Sequence, residues 1–342
     1  MAKKSLMERT PTIEDVARAA GVSQMTVSRV VNNHPSVKLP TRTRVLEAIT
    51  ATGYQQNEAG RLLRGSRAKM IGIIVPDLSD VFFATCAHTI QQIARSHQYM
   101  TLVVSSERDL ELELQEAELM SNRKVAGLLV ATSEQKTNKR LPNLYQSGMA
   151  IVAFDRPFKS IQTDAVLVEN RQGAEMAVAH LIGHGHRRIA CVGYDASVYT
   201  VHERVEGYKS AMSSAGLLPN IVPEMATLEE IHQWTTKLAK KANRPTAIFS
   251  LNHRTSAHLV RSLSMAGLSV PKDIALIGFD DFDLAECVSP PLTVVAQSPM
   301  ELASRATALL FDQIHAGANK KPIPIKMVIP VQLIVRSSCG CS

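Results

Sequence analysis

Four β-branched runs of this 342-residue chain are each followed by side chains that could bind a polar ligand. Carboxylates and guanidinium groups hydrogen-bond in pairs to vicinal hydroxyls or to an acid group, and an aromatic ring stacks on the apolar face of a sugar. These residue types indicate a carbohydrate-like ligand. The candidates at the runs "IGIIV", "AIVAF", "AIFSL" and "LIGF" are Asp77, Phe82, Phe83, Asp155, Arg156, Phe249, Asn252, His253 and Asp280.

Catalytic and metal-binding patterns are much weaker. The chain contains no GxSxG, GxGxxG or GxxxxGK[ST] motif, so neither a nucleophile elbow nor a nucleotide-binding loop is indicated. The histidines of "HLIGHGH" lack an HExxH pattern, and the five cysteines lack the paired spacing of a zinc site, although the "CGC" near residue 340 could bind a soft metal weakly. We expect no metal, no cofactor and no enzymatic activity.

The elements that must position the candidates are strands and helices in alternation. From residue 70 onward, β-branched runs alternate with helical segments, including predicted helices over 83–97 and 110–122 and others that begin near Arg204 and Arg254. This pattern is typical of right-handed βαβ units and of parallel sheets covered on both faces. Ligands of such sheets bind at the carboxyl ends of the strands, in the crevice between the two halves.

The first 67 residues have a different character. They hold eleven Lys and Arg against five Asp and Glu, whereas the other 275 residues hold 27 against 26. A basic head on a nearly neutral body indicates that the head binds a polyanion.

Two short helices joined by a glycine turn are predicted in this head. Thr12 with Asp15 caps the first helix, Gly21 ends it, and Ser23 caps the second. A third helix over "TRTRVLEAITATGY", with its start displaced to Pro40 or Thr41, is expected to close the core with Val45, Leu46 and Ile49. The pattern is a helix-turn-helix.

The segments "TIEDVARAAGVSQMTVSRVVNN", "TRTRVLEAI", "GY" and "IGIIVPDLSDVFFA" resemble the LacI/GalR family of bacterial transcription repressors, and the resemblance runs along nearly the whole chain. It implies a small all-α helix-turn-helix head and an α/β body like that of periplasmic binding proteins, with two parallel-sheet subdomains. The expected boundaries are a DNA-binding domain over 1–56, a hinge helix or linker over 57–67, and an effector-binding and dimerisation domain over 68–342. Its subdomains cover about 68–168 with part of 295–330, and about 169–294 with the last segment.

The resemblance also implies which residues bind DNA. The second helix would enter the major groove, where Gln24 can pair with adenine, Arg29 with guanine or a phosphate, and Met25 can contact a thymine methyl group. The hinge would insert Leu63 into the minor groove. Further DNA contacts are expected from Thr12, Ser23, Thr26, Ser28, Asn33, Asn57, Arg61 and Arg64.

In the body, the resemblance adds Asn170 and Arg204 to the effector-binding candidates. Relatives commonly carry Asn-Asp where this chain has Asn252-His253, and an imidazole in place of a carboxylate favours an anionic ligand such as a sugar acid or a sugar phosphate.

The prediction is therefore a dimeric repressor that binds a palindromic operator and is controlled by a small, carbohydrate-derived effector. The alternative is a solute-binding or sugar-modifying protein with an accessory head. No secretory signal and no run of about 18 apolar residues occurs, so a cytoplasmic, nucleoid-associated protein without membrane contact is expected.

Overall fold

The computed structural model describes residues 11–31, 34–54, 67–193, 195, 197–223, 225, 227–317 and 323–341. The chain divides into two compact units, Met1–Arg67 and Ala68–Ser342. Within the described residues, no helix combines the length and the apolar character that are needed to span a membrane.

In its described residues the first unit contains three helices, α1 (Ile13–Ala20), α2 (Gln24–Val31) and α3 (Leu39–Thr52). The backbone N–H and the hydroxyl of Thr12 both donate to Asp15 Oδ2, at 2.8 and 2.7 Å, and Gly21 ends α1 with a φ of +62°. Ser23 Oγ accepts from Thr26 N at 3.2 Å at the start of α2. The helices enclose a small core of Val16, Ala17, Ala20, Val27, Val30, Val45 and Ala48.

Two expectations about α3 are wrong. Leu46 is 50% exposed, and Ala48 takes its place in the core because it lies on the same helical face as Val45, three residues away. The helix begins at Leu39 rather than at Pro40 or Thr41, and Arg42 N donates to Lys38 O at 3.0 Å. Pro40 is tolerated in this first turn because no intrahelical bond needs its missing N–H.

The second unit contains two six-stranded sheets, ordered β11-β5-β4-β3-β1-β2 and β12-β10-β9-β8-β6-β7. All neighbouring strands are parallel except β12, which runs antiparallel to β10. The strands are β1 (Met70–Val75), β2 (Met100–Ser105), β3 (Gly127–Val130), β4 (Ala150–Phe154), β5 (Ala165–Val168), β6 (Ile189–Val192), β7 (Asn220–Ile221), β8 (Ala247–Ser250), β9 (Ala275–Phe279), β10 (Thr293–Ala296), β11 (Lys326–Ile329) and β12 (Gln332–Ile334).

Helices cover both faces of each sheet, as the alternating pattern predicts. They are α4 (Val81–Ser96), α5 (Leu110–Asn122), α6 (Arg140–Gln146), α7 (Asn170–Gly183), α8 (Tyr199–Ser214), α9 (Leu228–Ala239), α10 (His253–Met265), α11 (Leu284–Cys287) and α12 (Pro299–Ala316). In the first sheet, α4 and α12 pack on one face and α5 and α6 on the other. In the second, α7 and α8 cover one face and α9 and α10 the other.

Helix α8 begins at Tyr199, five residues before the predicted start near Arg204, so Arg204 lies inside the helix rather than at its end. Gly207, one turn further on, allows α8 to pack tightly on α7. A Cβ atom at Gly207 would lie 2.1 Å from the carbonyl oxygen of Arg171. This close approach brings Arg204 next to Asn170, the first residue of α7.

The chain passes between the two sheets three times. The connections are Glu169 between β5 and α7, residues 297–298 between β10 and α12, and residues 330–331 between β11 and β12. The first connection is bonded to the strand that leads into the third, since Glu169 N donates to Ile329 O, at the end of β11, at 3.0 Å. The two subdomains are thus joined by three connections of one or two residues each.

Candidate functional site

A cavity of about 280 Å³ lies between the two sheets, where the carboxyl ends of their strands face each other. Eight of the predicted effector-binding residues line it, from both subdomains. They are Phe82, Phe83, Asp155, Arg156, Arg204, Asn252, His253 and Asp280.

Arg204 occupies the centre of the second subdomain's side of the cavity, and its side chain is only 4% exposed. Its Nε donates to Asn170 Oδ1 at 2.8 Å, and its Nη1 donates to Leu251 O at 2.6 Å. Both terminal nitrogens lie 3.2 Å from carboxylate oxygens of Asp280. The guanidinium carbon lies 3.7 Å from the centre of the Phe279 ring, so a cation–π contact holds its face as well.

Asp280 follows β9 with a left-handed φ of +74°, a conformation that Asp tolerates better than most residues. Gln297 Nε2 donates to its Oδ1. Burial by itself would raise the pKa of this carboxyl group, but the Arg204 charge and the neighbouring His253 outweigh burial and lower the pKa to about 2. Asp280 is therefore ionised at neutral pH and acts as a fixed acceptor in the cavity.

His253 lies between two carboxylates, one from each subdomain. Its Nδ1 is 3.8 Å from Asp280 Oδ2, and its Nε2 is 4.0 Å from Asp80 Oδ1. The neighbouring Asp280 carboxylate raises the pKa of His253, whereas burial acts in the opposite direction. When His253 is protonated, its charge faces these two carboxylates of the protein, so it offers little attraction to an anionic ligand.

The first subdomain contributes a second acid–base pair. Asp155 follows β4, also with a positive φ, of +65°, and Arg156 Nε donates to its Oδ2 at 3.2 Å. Burial raises the pKa of Asp155, and the neighbouring Arg156 and Arg204 act in the opposite direction. The Phe83 ring lies under Arg156, with its centre 5.9 Å from the guanidinium carbon. The Phe82 ring packs edge-on against the Phe83 ring.

Three predicted residues do not line the cavity. Asp77 lies outside it, where its Oδ2 accepts from Arg254 Nη2 at 3.1 Å across the two subdomains. Asn170 is 2% exposed and acts through its bond to Arg204. Phe249 is fully buried in the core between the second sheet and α7–α8, because its strand directs alternate side chains to opposite faces and this one points away from the cleft.

Several lining residues were missed by the sequence analysis. Gln297 directly follows β10, so its position at a strand end is the same signal that indicates Asp280. Asp80 and Thr255 lie in the loops and first helical turns after strands, where their residue types alone give no signal. The remaining polar residues of the cavity that were not predicted are Arg108, Asp195, Thr200 and Arg254.

The ionisable groups of the cavity include both signs of charge in nearly equal number. Four arginines and His253 face Asp80, Asp155, Asp195 and Asp280. Asn252 is a helix cap whose Oδ1 accepts from Thr255 N at 2.9 Å, which leaves its NH₂ group as a donor toward the cavity. Charged donors and acceptors of both signs, together with an aromatic wall, suit a ligand with many hydroxyl groups.

The candidate DNA-binding face belongs to the first unit. Gln24, Met25 and Arg29 are exposed on α2, and Thr26 and Ser28 are half-buried beside them. Thr12 and Ser23 are engaged at the helix starts described above. The hinge segment lies outside the residues that the structure describes, as do the predicted DNA contacts Asn33, Asn57, Arg61, Leu63 and Arg64.

Comparisons with known proteins cover both units. Residues 12–57 match the family described as bacterial regulatory proteins, lacI family, and residues 178–339 match a periplasmic binding protein-like domain. Catabolite control protein A of Priestia megaterium is 34% identical over 332 residues, 96% of this chain and 98% of the relative. The HTH-type transcriptional repressor PurR of Photobacterium profundum is 31% identical over 330 residues, with the same two coverages.

Among solved structures, a LacI family transcriptional regulator from Enterococcus faecium with bound ribose is 30% identical, with a TM-score of 0.69. The match covers 79% of this chain and 98% of that one. These relatives are regulators of transcription, so the expectation that the chain is not an enzyme is confirmed. The helix-turn-helix head, the two-sheet body and the identity along nearly the whole length together show that the chain belongs to the LacI family of bacterial regulatory proteins.

Proposed function

We propose that the protein is a homodimeric repressor that binds a palindromic operator and responds to a carbohydrate-derived effector in the cleft of the second unit. Residues 1–56 form the DNA-binding domain, 57–67 the hinge, and 68–342 the effector-binding and dimerisation domain. Closure of the cleft changes the spacing of the two hinges in the dimer, and this couples effector and operator affinities reciprocally.

The observation that carries the effector proposal is the fixation of Arg204. Four groups hold it on all sides, namely Asn170, the Leu251 carbonyl, Asp280 and the Phe279 ring. Because the Arg204 guanidinium is held by these groups, it keeps the Asp280 carboxylate in one orientation. The carboxylate therefore does not need to reorganise when a ligand binds. Asp280 retains acceptor capacity toward the cavity, and an ionised carboxylate is a strong acceptor for the hydroxyls of a sugar.

The charge balance favours a neutral sugar over a sugar acid or a sugar phosphate. Arg156 is paired with Asp155 and Arg204 with Asp280, and His253 lies between the same Asp280 and Asp80. Arg108, at the exposed side of the cavity, has no ion-pair partner among the described residues. A phosphate or carboxylate group of a ligand could therefore pair with Arg108 alone. Hydroxyl groups, in contrast, could hydrogen-bond to donors and acceptors on all sides of the cavity.

A thermal-shift screen tests the effector proposal. Matched panels of neutral sugars, sugar acids and sugar phosphates are compared at equal concentration, since a ligand at 100 times its Kd stabilises the native state by about 2.7 kcal/mol. We expect the neutral panel to contain the strongest ligand, and Asp280→Asn to abolish its shift. Stabilisation by sugar phosphates alone would contradict the charge argument.

The DNA-binding proposal is tested by gel-shift titration with operator fragments selected from random sequence. We expect Arg29→Ala to weaken binding about 10-fold or more, because a bidentate contact to a base contributes about 1–3 kcal/mol. Leu63→Ala tests the hinge in the same assay. Arg123→Ala removes the same charge from an exposed site of the body and is the control. Equal affinity of all these variants and the wild type would contradict the proposed docking.

Removal of residues 1–67 separates this proposal from the alternative, a solute-binding or sugar-modifying protein with an accessory head. A repressor loses DNA binding and retains effector binding when the head is absent. If the full-length chain binds no DNA fragment above background while the body binds sugars, the repressor assignment is wrong for this chain.

A further inference from the structure

Four side chains of metal-binding types meet at the end of α7 that is remote from the cleft. His180 and His184 lie one helical turn apart, with ring centres 4.7 Å from each other. The segment after β12 folds back and brings Cys339 and Cys341 beside them. His180 and His184 are separated from Cys341 by more than 150 positions in sequence, which is why the histidines and the "CGC" segment appeared unrelated in the sequence.

The ligand atoms of these residues are close together. Cys341 Sγ lies 3.2 Å from His180 Nε2 and 3.1 Å from His184 Nε2. Cys339 Sγ lies 3.1 Å from Cys341 Sγ and 3.4 Å from His180 Nε2. The ligand atoms of His180, His184 and Cys341 all lie within 4.8 Å of one another.

These separations are shorter than the edges of a tetrahedral zinc site, by about 0.2–0.5 Å for S···N and about 0.7 Å for S···S. With Zn–S distances of about 2.3 Å and Zn–N distances of about 2.0–2.1 Å, the S···N edge is about 3.6 Å and the S···S edge about 3.8 Å. Two imidazoles and two thiolates are also the ligand set that selects a soft or borderline ion such as Zn²⁺ over Mg²⁺ or Ca²⁺. An outward movement of a few tenths of an ångström by each ligand would admit the ion.

The cysteine segment is held in place by the second sheet. Ser338 Oγ donates to Leu276 O at 2.6 Å and accepts from Thr293 N at 2.8 Å. The hydroxyl of Thr293 donates to Cys339 Sγ at 3.3 Å, and Cys339 is fully buried. A donor behind a thiolate stabilises its charge and fixes its direction, as the outer residues of metal sites do.

We propose that His180, His184, Cys339 and Cys341 form a structural Zn²⁺ site that fastens the segment 337–341 to the end of α7. None of the four residues lines the cleft, so this site is separate from the effector site and does not depend on the proposed function. The alternative is that Cys339 and Cys341 are oxidised to a disulfide, in which case neither sulfur is available as a thiolate ligand.

The test uses the full-length protein, stripped with a chelator and kept in a metal-free reducing buffer. Co²⁺ is titrated first, because tetrahedral Co²⁺ with thiolate ligands gives visible d–d bands and an ultraviolet charge-transfer band. We expect saturation at one Co²⁺ per chain, bleaching by one equivalent of Zn²⁺, and a higher Tm of the zinc-loaded protein.

Two ligand variants and one matched control locate the site. His184→Ala and Cys341→Ser are expected to weaken Zn²⁺ binding by more than about 100-fold, since loss of even an outer partner of a metal site costs about 10–100-fold. Both residues lie near the surface, so the variants should fold. Cys287→Ser removes an exposed thiol on α11 and should bind Co²⁺ like the wild type.

Absence of a saturable cobalt spectrum in the reduced wild-type protein would overturn the proposal. An unchanged spectrum in Cys341→Ser would do the same. If thiol counting without reductant shows two thiols lost while the reduced protein binds no metal, the pair is a disulfide and not a metal site.

Discussion

The ion pair between Arg204 and Asp280 permits a quantitative prediction about the stability of the body. Its partners are 4% and 13% exposed, and their nitrogen and oxygen atoms are 3.2 Å apart. At an effective dielectric constant of about 20, the attraction is about 5 kcal/mol. Arg204→Met keeps the packing against the Phe279 ring but leaves the Asp280 carboxylate buried without its guanidinium. We expect the free energy of unfolding to fall by about 3–5 kcal/mol.

A double-mutant cycle isolates the pair. Asp280→Asn removes the buried charge and keeps an acceptor for Gln297, so the double variant with Arg204→Met should recover part of the loss, with a coupling energy of about 2–3 kcal/mol. The matched control is Arg254→Met, which breaks the exposed pair with Asp77 and should cost no more than about 1 kcal/mol.

Urea unfolding followed by tryptophan fluorescence provides the assay. Trp234 is the single tryptophan of the chain and packs against the core of the second sheet, so its emission reports the subdomain that holds Arg204. Protein concentration is kept constant because any change in the association of chains would shift the midpoint. A loss below about 1 kcal/mol for Arg204→Met, or strictly additive effects in the cycle, would refute the reasoning.

Other substitutions and pH changes test the surroundings of this pair. Gly207→Ala places a Cβ atom against the carbonyl of Arg171 and should lower the free energy of unfolding by about 1–3 kcal/mol. At Gly183 a Cβ atom would meet no atom within 4 Å, so Gly183→Ala should leave the free energy of unfolding unchanged; urea midpoints compare the two variants. The pKa of Asp280 lies near 2, below its ordinary 3.8, so its stabilisation is present above about pH 4 and lost as the pH falls through 2; acid unfolding of Asp280→Asn should lack this step. The pKa of His253 is raised, so its contribution is present below pH 6.5 and lost as the pH rises through the higher folded-state value. His253→Gln should remove this loss of stability above pH 6.5.

The fold could be predicted from sequence because its signals are local. Alternating β-branched runs and amphipathic segments specify parallel strands with helices on both faces, and the strand-end rule placed Asp155, Asn252 and Asp280 at one cleft. The same rule failed for Phe249, because it locates a position along the chain and not the face to which a side chain points.

The remaining features depend on distances between parts of the chain that are far apart in sequence. The contact between Arg254 and Asp77 joins residues 177 positions apart, and no local pattern in either segment indicates it. The charge state of His253 likewise follows from two carboxylates of different subdomains. The residue type of His253 suggested a positive charge that binds an anionic ligand, whereas in the structure His253 lies between two aspartates of the protein itself.

Gln297 has a consequence beyond its hydrogen bond to Asp280. It is the first residue of one of the three connections between the sheets, and Glu169, in a second connection, is bonded to Ile329, the residue that precedes the third. Connections of one or two residues allow the sheets to tilt about a common axis but not to slide apart. A ligand that hydrogen-bonds to Asp280 would therefore contact a carboxylate that is bonded directly to one of these connections. The Gln297 amide thus links the cavity to the pivot between the two subdomains.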